Sequence, residues 1–121
     1  MSTPLHILVT DVNHHVRDLL KREFQKEGYT VYLAKNGDEA QRVLSGPDPL
    51  DFVVLDPELP GESGSLLLRL IQDASPRVQI IVHTYPEFAG TLKPCPNVCF
   101  VEKSAASIGP IKEVIRRLSV K

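Results

Sequence analysis

Short apolar runs alternate with longer amphipathic segments along this chain. The apolar runs cover residues 5–10, 30–34, 51–55, 78–82 with an extension to 84, and 98–101. They are rich in β-branched residues and nearly continuous, which is typical of strands that are buried on both faces. The pattern therefore predicts five strands.

The segments between these runs have helical periodicity. After the first strand, apolar side chains recur at helical spacing, at Val12, Val16, Leu19, Leu20 and Phe24. Asn13 is in position to cap this helix and Gly28 to end it. A short helix is predicted over residues 38–44.

Two further helices and one awkward segment complete the pattern. The apolar face of the third helix is formed by Leu66, Leu67, Leu70 and Ile71, and that of the last helix by Ile108, Ile111, Val114, Ile115 and Leu118. Ser107 is a candidate cap for the last helix. Between them, the glycine and the prolines of residues 86–96 leave room for one helical turn.

Strand and helix thus alternate five times, which predicts an α/β domain whose parallel sheet is covered on both faces. We expect residues 1–121 to form a single domain, because the 121 residues are a one-domain length and no interdomain linker interrupts the alternation.

Composition narrows the class of protein without giving a function. Lys and Arg total 14 against 15 Asp and Glu, so no basic field attracts nucleic acid. The apolar runs are too short to cross a bilayer, and the first residues lack the apolar core of a secretory signal. Two cysteines are too few for a disulfide scaffold. We therefore expect a cytoplasmic protein that binds neither membranes nor nucleic acid directly.

Polar side chains follow the predicted strands where each one ends. Asp11 follows the first strand, Asp56 and Glu58 follow the third, Thr84 ends the fourth and Lys103 follows the fifth. Because the carboxyl ends of parallel strands share one edge of a sheet, these groups should lie close together.

This combination of groups suits phosphoryl transfer. A carboxylate can form an aspartyl phosphate, a magnesium ion can neutralise phosphoryl charge, and lysine and threonine can bind phosphoryl oxygens. Taken singly, an aspartate after a strand is often a turn former, a threonine is an ordinary strand residue and a lysine is a surface charge. The indication comes from all of them at successive strand ends.

The same residues carry a family resemblance. In the stretch DFVVLDPELPGESG over residues 51–64, Asp56, Pro60 and Gly64 follow an apolar strand at fixed offsets. Residues 28–40 are also typical of the family. With this pattern the chain resembles, from about residue 5 to residue 118, the receiver domain of two-component response regulators.

The resemblance implies a three-layer, doubly wound (βα)5 fold of the flavodoxin-like type. Its five-stranded parallel sheet would have the order 2-1-3-4-5, and the fourth helix would be short or irregular. Asp56 would accept a phosphoryl group from a phosphohistidine on a sensor histidine kinase or a phosphotransfer protein. A homodimer is a second association that such domains allow.

The resemblance also implies roles for the other residues. Magnesium would be held by Asp11, Asp56 and the backbone carbonyl of Glu58. Lys103 and Thr84 would contact the phosphoryl group. The resemblance further implies that Thr84 acts as a switch together with Phe100, an aromatic residue whose rotamer follows it.

Several positions depart from the family pattern. The family has two adjacent acids after the first strand, but Val12 takes the second place, which weakens the expected magnesium binding. Tyr85 stands where a small residue is usual and could restrict access to Asp56. Ser104 replaces a common proline, and residues 94–97 occupy the end of the usual fourth helix, so the usual signalling face is expected to be reshaped.

Two functions remain open at this point. The first is a phosphorylated switch, which is not an enzyme beyond its own phosphoryl transfer and dephosphorylation, and intact Asp56, Thr84 and Lys103 favour it. The second is a degenerate receiver that serves as a phosphorylation-independent interaction or dimerisation module, and Val12 and Tyr85 favour it.

Other reactive side chains have plainer explanations. His14 and His15 are expected to be solvated residues of a first helical turn rather than metal ligands with Asp11. His83 reads as a core histidine with satisfied hydrogen bonds. Cys95 and Cys99 lack the further ligands of a zinc site, and Cys99 should pack in the fifth strand as a small hydrophobic residue.

Overall fold

The computed structural model of the chain describes residues 4–61, 64–89 and 97–119. The strands are β1 (His6–Thr10), β2 (Thr30–Ala34), β3 (Phe52–Leu55), β4 (Gln79–Thr84) and β5 (Val98–Glu102). The helices are α1 (His14–Lys26), α2 (Gly37–Leu44), α3 (Gly64–Ala74), α4 (Pro86–Ala89) and α5 (Ile108–Ser119). The strands form one sheet in the order β2-β1-β3-β4-β5, and every pair is parallel. The predicted doubly wound fold is therefore confirmed.

Two apolar layers lie on opposite faces of the sheet. On β1 and β3, Leu8 and Val53 belong to one buried cluster, whereas Val9 and Val54 belong to the other. This division follows from the alternation of side chains along a strand. It explains why the strands read as continuous apolar runs, since both of their faces are covered.

The ends of α1 follow the predicted local rules. The Asn13 side chain accepts a hydrogen bond from His15 N at 2.9 Å, which caps the helix. Gly28 has a φ of 86°, a left-handed conformation that glycine adopts at little cost, and it ends the helix as predicted.

Some predicted apolar positions face solvent instead of the core. The buried side chains of α3 include Leu67, Leu68 and Ile71, whereas Leu66 is 42% exposed, so the predicted face was wrong by one position at its start. Val12 is 54% exposed because it lies in the loop before the Asn13 cap, outside the helix. Within α1, Val16 packs against the core and Leu20 and Phe24 are buried in it, whereas Leu19 is 39% exposed.

The region after β4 is only partly described. α4 is a single turn, which agrees with the short fourth helix that the prolines predict. Residues 94–96, which include Cys95, lie outside the described residues. The predicted reshaping of the signalling face therefore remains a prediction. None of the helices in the described ranges has the length and apolar character that a bilayer crossing requires.

Candidate functional site

Two buried aspartates lie side by side at the carboxyl ends of β1 and β3. Asp11 and Asp56 are each 1% exposed and follow strands that are paired in the sheet. Thr10 joins the two strand ends, because its hydroxyl donates to Val54 O at 3.0 Å and accepts from Asp56 N at 3.0 Å. The parallel pairing thus brings together two carboxylates that are 45 residues apart in the sequence.

Lys103 places its ammonium group between these carboxylates. Its Nζ lies 3.0 Å from Asp11 Oδ2 and 3.0 Å from Asp56 Oδ2, and its side chain is only 12% exposed. Burial on its own would lower the pKa of Lys103, but its close contacts with the two aspartate carboxylates outweigh burial and raise that pKa. The lysine is therefore a fixed cation in the site.

The second oxygen of each carboxylate is held by the backbone. Asp11 Oδ1 accepts from Asn13 N at 2.9 Å, and Asp56 Oδ1 accepts from Glu58 N at 2.9 Å. These bonds leave the two Oδ2 atoms facing Lys103. Although Asp11 Oδ2 is at ion-pair distance from Nζ, it accepts no directed hydrogen bond from the described residues.

This set of donors fits a magnesium ion. Two carboxylates meet at one point, and the buried Asp11 Oδ2 has spare capacity to accept. No group of three or more acidic, histidine or cysteine side chains comes together among the described residues, so a cation here would take its other ligands from backbone carbonyls and water. Val12 contributes no oxygen.

Thr84 adds a buried hydroxyl at the end of β4. Its side chain is 2% exposed, and Oγ1 has no hydrogen-bond partner within the described ranges. Its backbone carbonyl accepts from Lys103 N at 2.9 Å, which joins β4 to the segment that carries the lysine. A buried hydroxyl without a partner is costly unless a ligand group uses it.

Two aromatic side chains lie nearer the surface. Tyr85 is 47% exposed, and Lys103 Nζ lies 5.8 Å from the centre of its ring, within range of a cation–π interaction. Tyr85 therefore lies beside Lys103 on the exposed side of the site, and the restriction of access to Asp56 remains a prediction. Phe100 is 40% exposed on β5, where it pairs in register with Val82. Its switch role remains a prediction.

Sequence reasoning missed two residues that shape this edge of the sheet. Thr10 bridges the two strand ends, and Arg17 Nη1 donates to the backbone carbonyls of Asp11 at 2.6 Å and Val12 at 3.2 Å. Arg17 falls six residues after Asp11, a spacing that a helix following a short loop can bring back to the strand end.

The histidines occupy two different environments. His14 and His15 are exposed at the start of α1, with ring centres 3.9 Å apart. His83 is 3% exposed, and its Nε2 lies 2.9 Å from Ser107 Oγ, but its Nδ1 has no partner among the described residues. The expectation of a fully satisfied core histidine was thus wrong for one of the two nitrogens.

Most of the chain matches one known protein family. The family model of the response regulator receiver domain matches residues 7–93. The chain belongs to this family. The predicted resemblance is confirmed, and the protein is a receiver domain of two-component signalling.

Curated relatives of this receiver domain match it over part of their length. It is 40% identical over 73 residues to the aerobic respiration control protein ArcA of Escherichia coli, a match that covers 60% of the chain and 30% of ArcA. It is 33% identical over 78 residues to sporulation initiation phosphotransferase F of Bacillus subtilis, which covers 64% of the chain and 62% of that protein. The chain thus spans less than two thirds of either relative.

Solved structures of receiver domains superpose on most of the chain. The response regulator TrrA of Thermotoga maritima, solved in complex with Mg(2+)-BeF, has a TM-score of 0.77 and 33% identity over 94% of this chain and 98% of that one. The chemotaxis response regulator CheY4 of Vibrio cholerae has a TM-score of 0.82 and 19% identity, over 96% of this chain and 99% of that one, and supports the fold alone.

Proposed function

We propose that this receiver domain is a phosphoacceptor switch, with Asp56 as the residue that is phosphorylated. The observation that carries the proposal is the meeting of Asp56, Asp11 and Lys103 within 3.0 Å contacts at the buried carboxyl edge of the sheet. The phosphoryl donor is a phosphohistidine on a sensor histidine kinase or a phosphotransfer protein. In support, the T. maritima relative TrrA has been solved in complex with the histidine kinase ThkA.

The proposed transfer uses one carboxylate as the nucleophile. An oxygen of Asp56 attacks phosphorus while the bond from phosphorus to the histidine nitrogen breaks, and the imidazole leaves with the bonding electron pair and takes up a proton. Lys103, whose raised pKa keeps it charged, then pairs with a phosphoryl oxygen. The hydroxyl of Thr84 has no other partner in the described ranges and can donate to a second oxygen.

A magnesium ion would be held by Asp11, Asp56 and the backbone carbonyl of Glu58. When bound, it neutralises charge on the phosphoryl group. The site offers two carboxylates, of which each already has one oxygen engaged by a backbone N–H group. Because Val12 adds no third carboxylate, we propose that this receiver domain binds magnesium weakly.

The rest of the proposal concerns the domain and its associations. Residues 1–121 would form one receiver domain, which acts in the cytoplasm as a signalling switch rather than as an enzyme on other substrates. Thr84 and Phe100 would carry the change from Asp56 to a protein-interaction surface, and a homodimer would be one outcome. Direct contact with nucleic acid is not part of the proposed role.

A degenerate receiver is the second candidate, and two observations favour it. Val12 leaves the site one carboxylate poorer and is itself 54% exposed, as an interaction residue would be. The Lys103 ammonium already lies between both carboxylates, where it opposes the entry of another cation. In this case the domain would bind partners without being phosphorylated.

Beryllofluoride with magnesium separates the two candidates, because it mimics an aspartyl phosphate. We expect the native chain to show fluorine and amide NMR changes around Asp56, and acetyl phosphate to add the mass of one phosphoryl group. Asp56→Asn should abolish both responses. Asp51→Asn, an exposed aspartate just before the same strand, is the matched control and should retain them. No response of the native chain at millimolar magnesium would refute the first candidate.

A further inference from the structure

The loop between β5 and α5 carries Lys103 and is attached to the end of β4 at two points. The first attachment is the backbone hydrogen bond from Lys103 N to Thr84 O, at 2.9 Å. The second joins side chains, because His83 Nε2 lies 2.9 Å from Ser107 Oγ. The position of the ammonium group therefore depends on how both attachments hold this loop.

The hydrogen bonds of Ser107 define the state of the histidine. Ser107 Oγ donates its only proton to Ser104 O at 2.8 Å, and it accepts a hydrogen bond from Ser104 N at 3.4 Å. The hydroxyl must therefore accept from His83, so that Nε2 carries the hydrogen. Burial, together with the charge of Lys103, lowers the pKa of His83, which agrees with a neutral ring.

Ser107 stands at the predicted cap position of α5, since its backbone carbonyl accepts from Ile111 N at 3.1 Å, but its hydroxyl has a different task. Its hydroxyl is engaged with the loop and with β4, rather than with the first free N–H groups of α5. Two further bonds close the loop on itself, from Ala106 N to Ser104 Oγ at 3.1 Å and from Ser107 N to Ser104 O at 3.2 Å. The loop is thus a compact turn, and His83 joins this turn to the sheet.

A histidine is not the side chain expected if position 83 only filled space in the core. Its side chain is 3% exposed and its Nδ1 is buried without a partner among the described residues, so it carries a desolvation cost that an apolar side chain would avoid. Ile81, two residues earlier on the same face of β4, shows that this layer accepts an apolar side chain. The histidine therefore contributes something other than packing.

We propose that His83 is a positioning residue, which acts through Ser107 to hold Lys103 between Asp11 and Asp56. The ammonium reaches both carboxylates at 3.0 Å only while the turn keeps its place. Displacements near 1 Å of a catalytic group have large effects on reactivity. The inference rests on the proposed role of Lys103 at the phosphoryl group, but the placement of Lys103 can be measured independently.

The first measurement uses the unliganded full chain. We expect His83→Leu and Ser107→Ala each to shift the Lys103 side-chain ammonium resonance and to accelerate amide exchange at residues 104–107. His83→Gln should restore most of the native signal, because its terminal amide can still donate to Ser107. Ile81→Val is the matched control, since it trims the same layer without a polar contact, and it should leave the ammonium resonance in place.

The second measurement is the affinity for beryllofluoride with magnesium. His83→Leu and Ser107→Ala should lower it by about tenfold, as is usual when a supporting contact behind a site is lost, and His83→Gln should lower it less. If His83→Leu does not fold, Ser107→Ala decides. An unchanged Lys103 resonance in a folded variant overturns the inference. If the native chain itself does not bind beryllofluoride, the proposed function fails. The Lys103 resonance still decides whether His83 and Ser107 position the ammonium group.

Discussion

Two pairs of aspartates lie at opposite ends of the same parallel sheet. Asp11 and Asp56, at the carboxyl edge, are each 1% exposed and share one lysine at 3.0 Å. Asp48 and Asp51, at the amino edge, are exposed. There, Asp48 Oδ2 accepts from Tyr32 OH at 3.0 Å and Asp51 Oδ2 accepts from the backbone N of residue 6 at 2.8 Å.

The difference lies in what each pair has left to bind. The amino-edge carboxylates meet neutral donors and water, so their charge is dispersed by solvent. The carboxyl-edge carboxylates are removed from water and share one ammonium, and Asp11 Oδ2 has this ion-pair contact but no directed hydrogen bond from the described residues. Residue type is the same at both edges, and only the carboxyl edge combines the burial and the incomplete pairing that the proposed phosphoryl transfer needs.

Removal of Lys103, the cation shared by Asp11 and Asp56, should have the largest effect on stability. Lys103→Met leaves two buried carboxylates without a counter-ion, and the loss of one partner of a buried ion pair costs on the order of 3 kcal/mol. We expect the free energy of unfolding in urea to fall by that amount at pH 7.

Lys112→Met provides the matched control for this variant. Lys112 Nζ pairs with Glu23 Oε1 at 2.8 Å, but this pair lies between α1 and α5 with partly exposed side chains. We expect a smaller loss than for Lys103→Met, because the Glu23 side chain is 19% exposed whereas Asp11 and Asp56 are each 1% exposed. Equal losses for the two lysines would show that the carboxyl edge is no more demanding than a surface pair.

A third carboxylate at the carboxyl edge should strengthen metal binding. Val12→Asp adds a charged oxygen donor next to Asp11 at an exposed position, so its introduction should not disturb packing. Because calcium and magnesium affinities rise with the number of charged ligands, we expect magnesium to bind about tenfold more tightly. Calorimetric titration measures this change, and Val12→Asn, which is similar in size but neutral, should give a much smaller gain.

The sequence predicted which functional residues lie at the carboxyl edge, but not the residues that hold them in place. Parallel strands end at one edge, so Asp11, Asp56, Thr84 and Lys103 could be expected together from periodicity alone. The contacts behind them could not, because Thr10 meets Asp56 N across 46 residues and His83 meets Ser107 across 24. Such pairs depend on strand register and on a turn, and no local sequence rule encodes either.

The same reason explains the errors in the helices. Apolar spacing identifies a helical stripe, but the rotation of the helix against the sheet decides which side of the stripe is buried. In α3 this rotation buries Leu68 and leaves Leu66 42% exposed. In the α1 region the Asn13 cap places Val12 outside the helix, although its spacing fits the stripe.

Acid titration tests whether contacts with lysine alone perturb a carboxylate that lies outside the carboxyl edge. At the α1–α5 surface, hydrogen bonds from Lys112 and Lys26 lower the pKa of Glu23 from 4.5 to about 2. A lowered folded-state pKa stabilises the fold above pH 4.5, and this contribution is lost as the pH falls towards 2. We expect the stability of Glu23→Gln to depend less steeply on pH in that window than the stability of the native chain, and an unchanged slope in urea unfolding would contradict this.

The smallest effects should come from the amino edge. Asp48→Asn and Asp51→Asn keep an acceptor oxygen for Tyr32 and for the backbone N of residue 6 while removing the charge. Since both side chains are exposed, we expect each to change the free energy of unfolding by less than about 1 kcal/mol. Because neither touches the carboxyl edge, magnesium affinity and the response to beryllofluoride should stay native. A weakened response in either variant would mean that the two ends of the sheet are coupled through β1 and β3, and that burial alone does not separate the two pairs.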